Sequence, residues 1–309
     1  MSFKVFIDGR EGTTGLQIEA RIKARPDIQL LTAQPELRKD PVHRAELINA
    51  ADAVFLCLPD AAARESAALC SNPHTVLIDA STAHRTAPGW TYGLPELSPA
   101  HREAVRCSKR IANPGCHATG FITAVYPLVA GGLLSRDARL CCYSLTGYSG
   151  GGKKMIAQYE AEGRPARLDA PRPYGLNQNH KHLPEMAAVC GLAHPPVFCP
   201  VVGDFYSGMA VSLLLDGSQL EKPVGADGLL DYYREYYAGE PLFSVAPAPE
   251  DGFIAANEFA DKPGLRLYVC GGERITVTAV FDNLYKGASG AAVQNMNLAL
   301  GVPEFTGIL

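Results

Sequence analysis

Apolar runs and helical patterns alternate along the first 115 residues. "FKVFIDG" (Phe3–Gly9) is continuously apolar up to its glycine and reads as a buried strand. "TTGLQIEARIKARP" (Thr13–Pro26) has helical spacing and closes on a proline. "IQLLTA" (Ile28–Ala33) is a second strand, and "DPVHRAELINAA" (Asp40–Ala51) opens a helix with an Asp cap and a first-turn proline. A strand at "AVFLCLP" (Ala53–Pro59), a helix from Asp60 to about Cys70 and a strand at "TVLIDAS" (Thr75–Ser81) follow. Strands that are apolar throughout, separated by helices, predict an α/β domain on a doubly wound parallel sheet.

The pattern changes after about Ile122. "ARLCCYSLTGYSGGGKK" (Ala138–Lys154), "VFCPVVGDFYSGMAVSLLLD" (Val197–Asp216) and "LRLYVCGGERITVTAVFDN" (Leu265–Asn283) are long β-rich runs, with one clear helix at Asp227–Gly239. They predict a second, α+β domain on a mixed or antiparallel sheet. The tail "GASGAAVQNMNLALG" (Gly287–Gly301) is helical, with Gly301 and Pro303 as stops.

A chain of 309 residues, 47% hydrophobic and 19% charged, suits two domains with sizeable cores. A net charge of −4 and the lack of basic runs argue against nucleic acid or an acidic membrane surface as partner. No stretch approaches the roughly 18 continuous apolar residues of a membrane span. The strand-like run at the N-terminus leaves no place for a signal peptide. None of the nine cysteines forms a CxxC pair or a zinc-site spacing, so no metal is expected. Such cysteine usage fits a reducing compartment, hence the cytoplasm.

"DGREGTTG" (Asp8–Gly15) lies between the first strand and the first helix. Gly9, Gly12 and Gly15 allow a tight turn and close backbone approach, and Thr13 and Thr14 begin the helix. The helix start offers N–H groups to a pyrophosphate, as in a Rossmann-type dinucleotide site. The second strand carries no acidic residue to grip a ribose. Arg38 and Lys39 follow it, and a basic group there favours NADP over NAD.

In "IANPGCHATG" (Ile111–Gly120), Pro114 stops a strand and Gly115 lets the chain turn, so Cys116 enters the first turn of a helix. Pro127 is expected to kink or shorten that helix. Unpaired N–H groups and the helix dipole favour the thiolate, the nucleophilic form. The other eight cysteines read as buried small residues. "NHKHLPE" (Asn179–Glu185) holds His180 and His182, which alternate spacing places on one face of an extended segment. His43, His74, His84, His101, His117 and His194 read as structural or solvated. A nicotinamide loop, an activated thiol and a histidine together suit reduction of an activated acyl group through a thioester.

These segments resemble N-acetyl-γ-glutamyl-phosphate reductases of arginine biosynthesis, in their shorter form. The resemblance rests on the glycine loop, "FLCLPDAAA" (Phe55–Ala63), "LIDASTAHR" (Leu77–Arg85), "YGLPEL" (Tyr92–Leu97), "NPGCHATG" (Asn113–Gly120), "TGYSGGGKK" (Thr146–Lys154), "HKHLPE" (His180–Glu185) and "NLYKGASGAAVQNMNL" (Asn283–Leu298). It implies Cys116 as nucleophile and His180 as acid–base residue, with His182 the alternative. It implies an NADP-binding domain, 1–115 plus 287–309, and a catalytic and oligomerisation domain, 116–286, in a dimer or tetramer. Pro59, Ser81, Gly150, Asn283, Lys286 and Gly287 would join the glycine loop and Arg38 in the cofactor site. Asn113, Tyr174, Arg85, Lys153 and Glu185 are candidates for the substrate, with Lys154 a further one for its carboxylate. The chain departs from the family at Arg10 and Glu11, where small residues are usual, at His117, where an aromatic is common, and at Lys181, where arginine is frequent. Another acyl-phosphate reductase, acting on aspartyl phosphate or a carrier-linked acyl group, is the alternative in the same class. A non-catalytic NADP-binding sensor is the alternative outside it.

Overall fold

The computed structural model describes residues 2–309. The chain forms two compact units, Met1–Gly115 with Ala288–Leu309, and Cys116–Gly287.

The first unit runs β1 (Phe3–Asp8), α1 (Thr13–Ile22), β2 (Ile28–Leu31), α2 (Pro41–Ala50), β3 (Ala53–Leu56), α3 (Asp60–Ala68), β4 (Val76–Asp79), β5 (Thr91–Tyr92), α4 (Pro99–Cys107) and β6 (Arg110–Ala112). Its strands are all parallel, in the order β2-β1-β3-β4-β6-β5. The order reverses between β1 and β3, so the glycine loop after β1 lies at the topological switch point. β3 and β4 are buried along their whole length, which is why they read as unbroken apolar runs. Asp40 caps α2 by accepting from the His43 amide at 2.8 Å. The strands end sooner than the apolar runs do. After β3, Cys57–Pro59 leaves the sheet because Pro59 caps α3.

The second unit contains α5 (Cys116–Ala130), β7 (Cys141–Gly147), α6 (Gly152–Glu160), β8 (Arg172–Pro173), α7 (Leu183–Cys190), β9 (Val197–Gly203), β10 (Met209–Asp216), α8 (Ala226–Tyr236), β11 (Phe243–Pro247), β12 (Leu265–Gly271) and β13 (Arg274–Phe281). Its sheet is mixed, in the order β11-β12-β13-β10-β7-β9-β8. α5 packs on β10 and β13, and α7 packs on α5. A π-helical turn, Tyr285–Ser289, leads into α9 (Gly290–Leu300). α9 packs on β3, β4, α1 and α4 of the first unit.

Some local expectations need correction. Of the eight cysteines read as buried, Cys107, Cys141 and Cys199 are exposed. α5 continues past Pro127 to Ala130. Proline has no N–H for the carbonyl four residues back, Thr123. The Tyr237 hydroxyl donates to that carbonyl at 2.7 Å instead, Tyr232 donates to the Pro127 carbonyl at 2.6 Å, and Tyr233 donates to Ala124. The histidine segment is not extended. It turns, with the Leu183 amide donating to the His180 carbonyl at 3.0 Å, and His182 serves as the cap residue of α7. Pro184 in the first helical turn favours this helix start. α4 and α7 are helices the pattern did not predict. α6 takes the end of a run that read as β-rich. Among the described residues no helix is long and apolar enough to cross a membrane, and no group of three or more His, Cys, Asp or Glu could hold a metal ion.

Candidate active site

In the first unit the glycine loop borders a cleft of about 740 Å³ whose lining includes Gly9, Gly12, Arg38, Lys39, Arg44 and Pro59. Gly9 has φ +83°, and a Cβ there would lie 2.3 Å from the Cys57 carbonyl oxygen, so only glycine fits. Gly12 caps α1, and the first intrahelical bond runs from the Leu16 amide to Gly12 at 2.9 Å. The amides of Thr13, Thr14 and Gly15 precede that bond and have no intrahelical acceptor. Arg38 pairs with Glu11, both exposed. The charged loop residue Glu11 thus gives Arg38 a partner. Arg44 donates to Asp8 at 2.7 Å, and the Ser66 hydroxyl donates to the same carboxylate at 2.6 Å. Helix-start amides beside Arg38 and Lys39 fit a dinucleotide carrying an extra phosphate.

Other candidates in this unit hold backbone in place. Ser81 is buried, does not line the cleft, and donates to Asp79 at 2.8 Å. His84 lies 2.6 Å from Asp79 and stacks on Trp90 at 3.9 Å, so it has partners that its sequence context did not suggest. Arg85 donates to the carbonyls of Asn113 at 3.0 Å and Ala80 at 3.3 Å. Asn113 is 1% exposed; its amide donates to Ala288 at 3.0 Å and its oxygen accepts from Asn295 at 3.1 Å. These bonds are to protein groups.

In the second unit Cys116 is the first residue of α5 and is partly buried. Gly287 packs directly on it: a Cβ on Gly287 would lie 2.9 Å from the Cys116 Cβ. His117, read as structural or solvated, is buried. Its Nδ1 lies 2.7 Å from the Ser144 hydroxyl and its Nε2 2.7 Å from the Tyr174 hydroxyl. The His180 ring meets His117 edge-on at 5.4 Å and His182 at 4.8 Å, and Phe198 backs both His117 and His180 at 5.3 and 5.1 Å. Burial pushes His117 down to about 3, and the charges of His180 and Lys181 add to the effect. Burial, with the nearby Cys116 charge, pushes the Tyr174 phenol up. Both groups are therefore neutral across ordinary pH.

Around this cluster, buried Asn283 donates to the Ser149 hydroxyl at 3.0 Å and accepts from the Gly208 amide at 2.8 Å. It ties the glycine-rich turn to the start of β10. Lys286 is buried, with its ammonium 5.6 Å from the Phe243 ring centre. Glu185 is buried in the first turn of α7. Gly150, on the turn after β7, and Lys153, on α6, are exposed.

Two family models match the chain: the semialdehyde dehydrogenase NAD binding domain over residues 4–105 and the semialdehyde dehydrogenase dimerisation domain over 116–283. N-acetyl-gamma-glutamyl-phosphate reductase 2 of Nostoc sp. is 42% identical over 99% of each chain. N-acetyl-gamma-glutamyl-phosphate reductase of Chelativorans sp. is 45% identical over 97% of this chain and 99% of its own. The chain belongs to the N-acetyl-gamma-glutamyl-phosphate reductase family. Aspartate semialdehyde dehydrogenase II of Vibrio cholerae, in complex with ASA, shares the fold at TM-score 0.73 and 16% identity, over 97% of this chain and 99% of that one. The Candida albicans enzyme with NADP does so at 0.63 and 14%, over 96% and 98%.

For a member of this reductase family, three groups around the thiol escaped the sequence reading: His117, Ser144 and Phe198. Ser144 had a readable signal. It shares the inward face of β7 with Cys142 and Thr146, and a hydroxyl at a buried strand position needs a partner.

Proposed function

We propose that the chain reduces N-acetyl-γ-glutamyl phosphate to N-acetylglutamate semialdehyde in arginine biosynthesis, with NADPH as reductant and Cys116 as nucleophile. Full-length identity of 42–45% to reductases of that name supports the substrate. The observation that carries the mechanism is a cysteine opening a helix whose next residue packs against His180, His182 and Tyr174. The helix start favours the thiolate. Its sulfur attacks the acyl carbon, the carbon–oxygen bond to phosphate breaks, and a thioester and inorganic phosphate result. His180 takes the thiol proton to give that thiolate, with His182 the second candidate for that step. NADPH, when bound, supplies a hydride to the acyl carbon. The protonated histidine gives its proton to the acyl oxygen as the thiohemiacetal forms; on collapse the carbon–sulfur bond breaks, that hydroxyl proton returns to the histidine, and Cys116 leaves as the thiolate. The first-turn amides of α1 would hold the pyrophosphate and Arg38 the 2′-phosphate.

We also infer a homo-oligomer in the cytoplasm. One face of the second sheet leaves Tyr143, Val197 and Leu214 exposed beside Cys141 and Cys199, a continuous apolar strip across β10, β7 and β9. The dimerisation model over 116–283 supports an oligomer that forms through this unit. Light scattering of Val197→Glu should report a smaller species than wild type.

The deciding assay is NADPH oxidation with N-acetyl-γ-glutamyl phosphate against aspartyl phosphate. Turnover of the first, absent in Cys116→Ser, is expected. Preference for aspartyl phosphate would overturn the substrate, and an active Cys116→Ser variant would overturn the nucleophile.

A further inference from the structure

We propose that His117 is a positioning residue: as its Nε2–H tautomer it donates to the Tyr174 oxygen and so turns that hydroxyl into a hydrogen-bond donor for the acyl group at Cys116. The inference rests on the thioester reading above.

Hydrogen-bond accounting fixes the tautomer. A neutral imidazole has one donor and one acceptor nitrogen, while each hydroxyl can play either part. His117 is buried and sits between the Ser144 and Tyr174 hydroxyls, 2.7 Å from each. Ser144 is fully buried, and among the described residues its hydroxyl has no other partner. If Nδ1 carried the proton, it would donate to Ser144 and strand the serine's own buried proton. Stranded buried donors are costly. With the proton on Nε2, Ser144 donates to Nδ1, Nε2–H donates to Tyr174, and every group inside the cluster is satisfied. The proton left over is that of Tyr174, whose hydroxyl makes no other hydrogen bond among the described residues.

That proton is available to a ligand. Tyr174 is partly buried, its ring 6.0 Å from that of His180. Its phenol stays protonated, because burial and the Cys116 charge both resist ionisation. A fixed donor on this side suits the acyl oxygen as it gains negative charge, when donors matter most. A phenylalanine or tyrosine at 117 would fill the same space but could not bond both hydroxyls in this way. The residue by which the chain departs from its family thus sets the direction of a short chain: Ser144, His117, Tyr174.

Two measurements test this. ¹⁵N NMR of histidine-labelled protein reads the tautomer without any substrate; the Nε2–H form of His117 is expected, and the Nδ1–H form would overturn the inference. Kinetics of His117→Phe, Tyr174→Phe and the double variant read the coupling. Each single change should lower kcat about tenfold or more with KM within about threefold. The double variant should be no worse than the poorer single one, since both remove the same bond. Multiplying losses, or His117→Phe at full kcat, would refute the role. His117→Gln, which can also donate to Tyr174, should recover part of the loss, and it serves should the phenylalanine variant fail to fold. If the wild type oxidises no NADPH with the acyl phosphate, the proposed function fails, while the tautomer still decides the assignment of His117.

Discussion

Gly287→Ala should damage catalysis through a single methyl group. The glycine is not one of those with positive φ, so alanine suits its backbone and the effect is steric alone. An ideal Cβ would lie 2.9 Å from the Cys116 Cβ, 3.3 Å from the Asp282 carbonyl oxygen and 3.3 Å from a Phe281 ring carbon. Carbon atoms rest about 3.5–4.0 Å apart, so the pair must separate by roughly 0.6 Å or more. Asp282 and Phe281 block retreat on the alanine side, and Cys116 has to move. A displacement approaching 1 Å costs on the order of 10²-fold in rate. We therefore expect kcat to fall at least about tenfold, with an overpacking cost of about 1–3 kcal/mol.

Steady-state NADPH oxidation gives kcat, the rate of iodoacetamide labelling at Cys116 gives access to the sulfur, and urea unfolding gives stability. Gly272→Ala is the matched control, because a Cβ there meets nothing within 4 Å. It should leave all three readings near wild type. If Gly287→Ala kept wild-type kcat and labelling, the claim that Gly287 sets the position of the nucleophile would be wrong.

Tyr237→Phe removes the donor that serves the Thr123 carbonyl, which Pro127 cannot serve. Leaving that buried oxygen unpaired should cost about 1–3 kcal/mol in urea unfolding, and Pro127→Ala, which restores an N–H, should recover part of it. Arg38→Ala should raise KM for NADPH about tenfold and leave KM for NADH nearly unchanged, if Arg38 binds the 2′-phosphate; equal shifts for both cofactors would refute that role. The fully buried His117 titrates near 3 in the folded chain, below its ordinary value of 6.5. The unfolded chain therefore binds the extra proton first, so the stability from keeping this ring neutral is complete above about pH 6.5 and is lost as pH falls towards 3. Between pH 6.5 and 5 the wild type should lose up to about 1.4 kcal/mol per unit more than His117→Phe, measured by urea unfolding; parallel slopes would contradict a neutral buried ring.

The first unit was legible because its strands are buried on both faces, so Ala53–Leu56 and Val76–Asp79 announce themselves as apolar runs with helices between. The second was legible only as β-rich. Leu265–Asn283 is a hairpin turned at Gly272 and Glu273, and Val197–Asp216 is two strands with five residues between, 204–208. Neither break interrupts the hydrophobic content of its run. α7 was hidden for the opposite reason. Its eight residues are too few to show a period, and the histidines before them drew an extended reading.

The site divides along the same line. Cys116 could be read because its setting is local: Pro114 and Gly115 sit beside it, and they decide that it opens a helix. Of what surrounds it, His180, His182 and Tyr174 were legible in the sequence, and His117, Ser144 and Phe198 were not. Arg85 and Asn113 looked like ligands for a substrate because they are polar residues in family motifs, yet their partners are carbonyls and amides up to 182 positions away in sequence. His117 failed in the other direction. On a helix, the position after an N-terminal nucleophile is as easily exposed as buried, and only tertiary packing brings Ser144 from β7 and Tyr174 from beyond β8 to its two nitrogens. A polar side chain's function follows from which of its donors and acceptors the fold has already used. Asn113 bonds protein groups through both ends of its amide; Tyr174, held through one lone pair, keeps its proton to give.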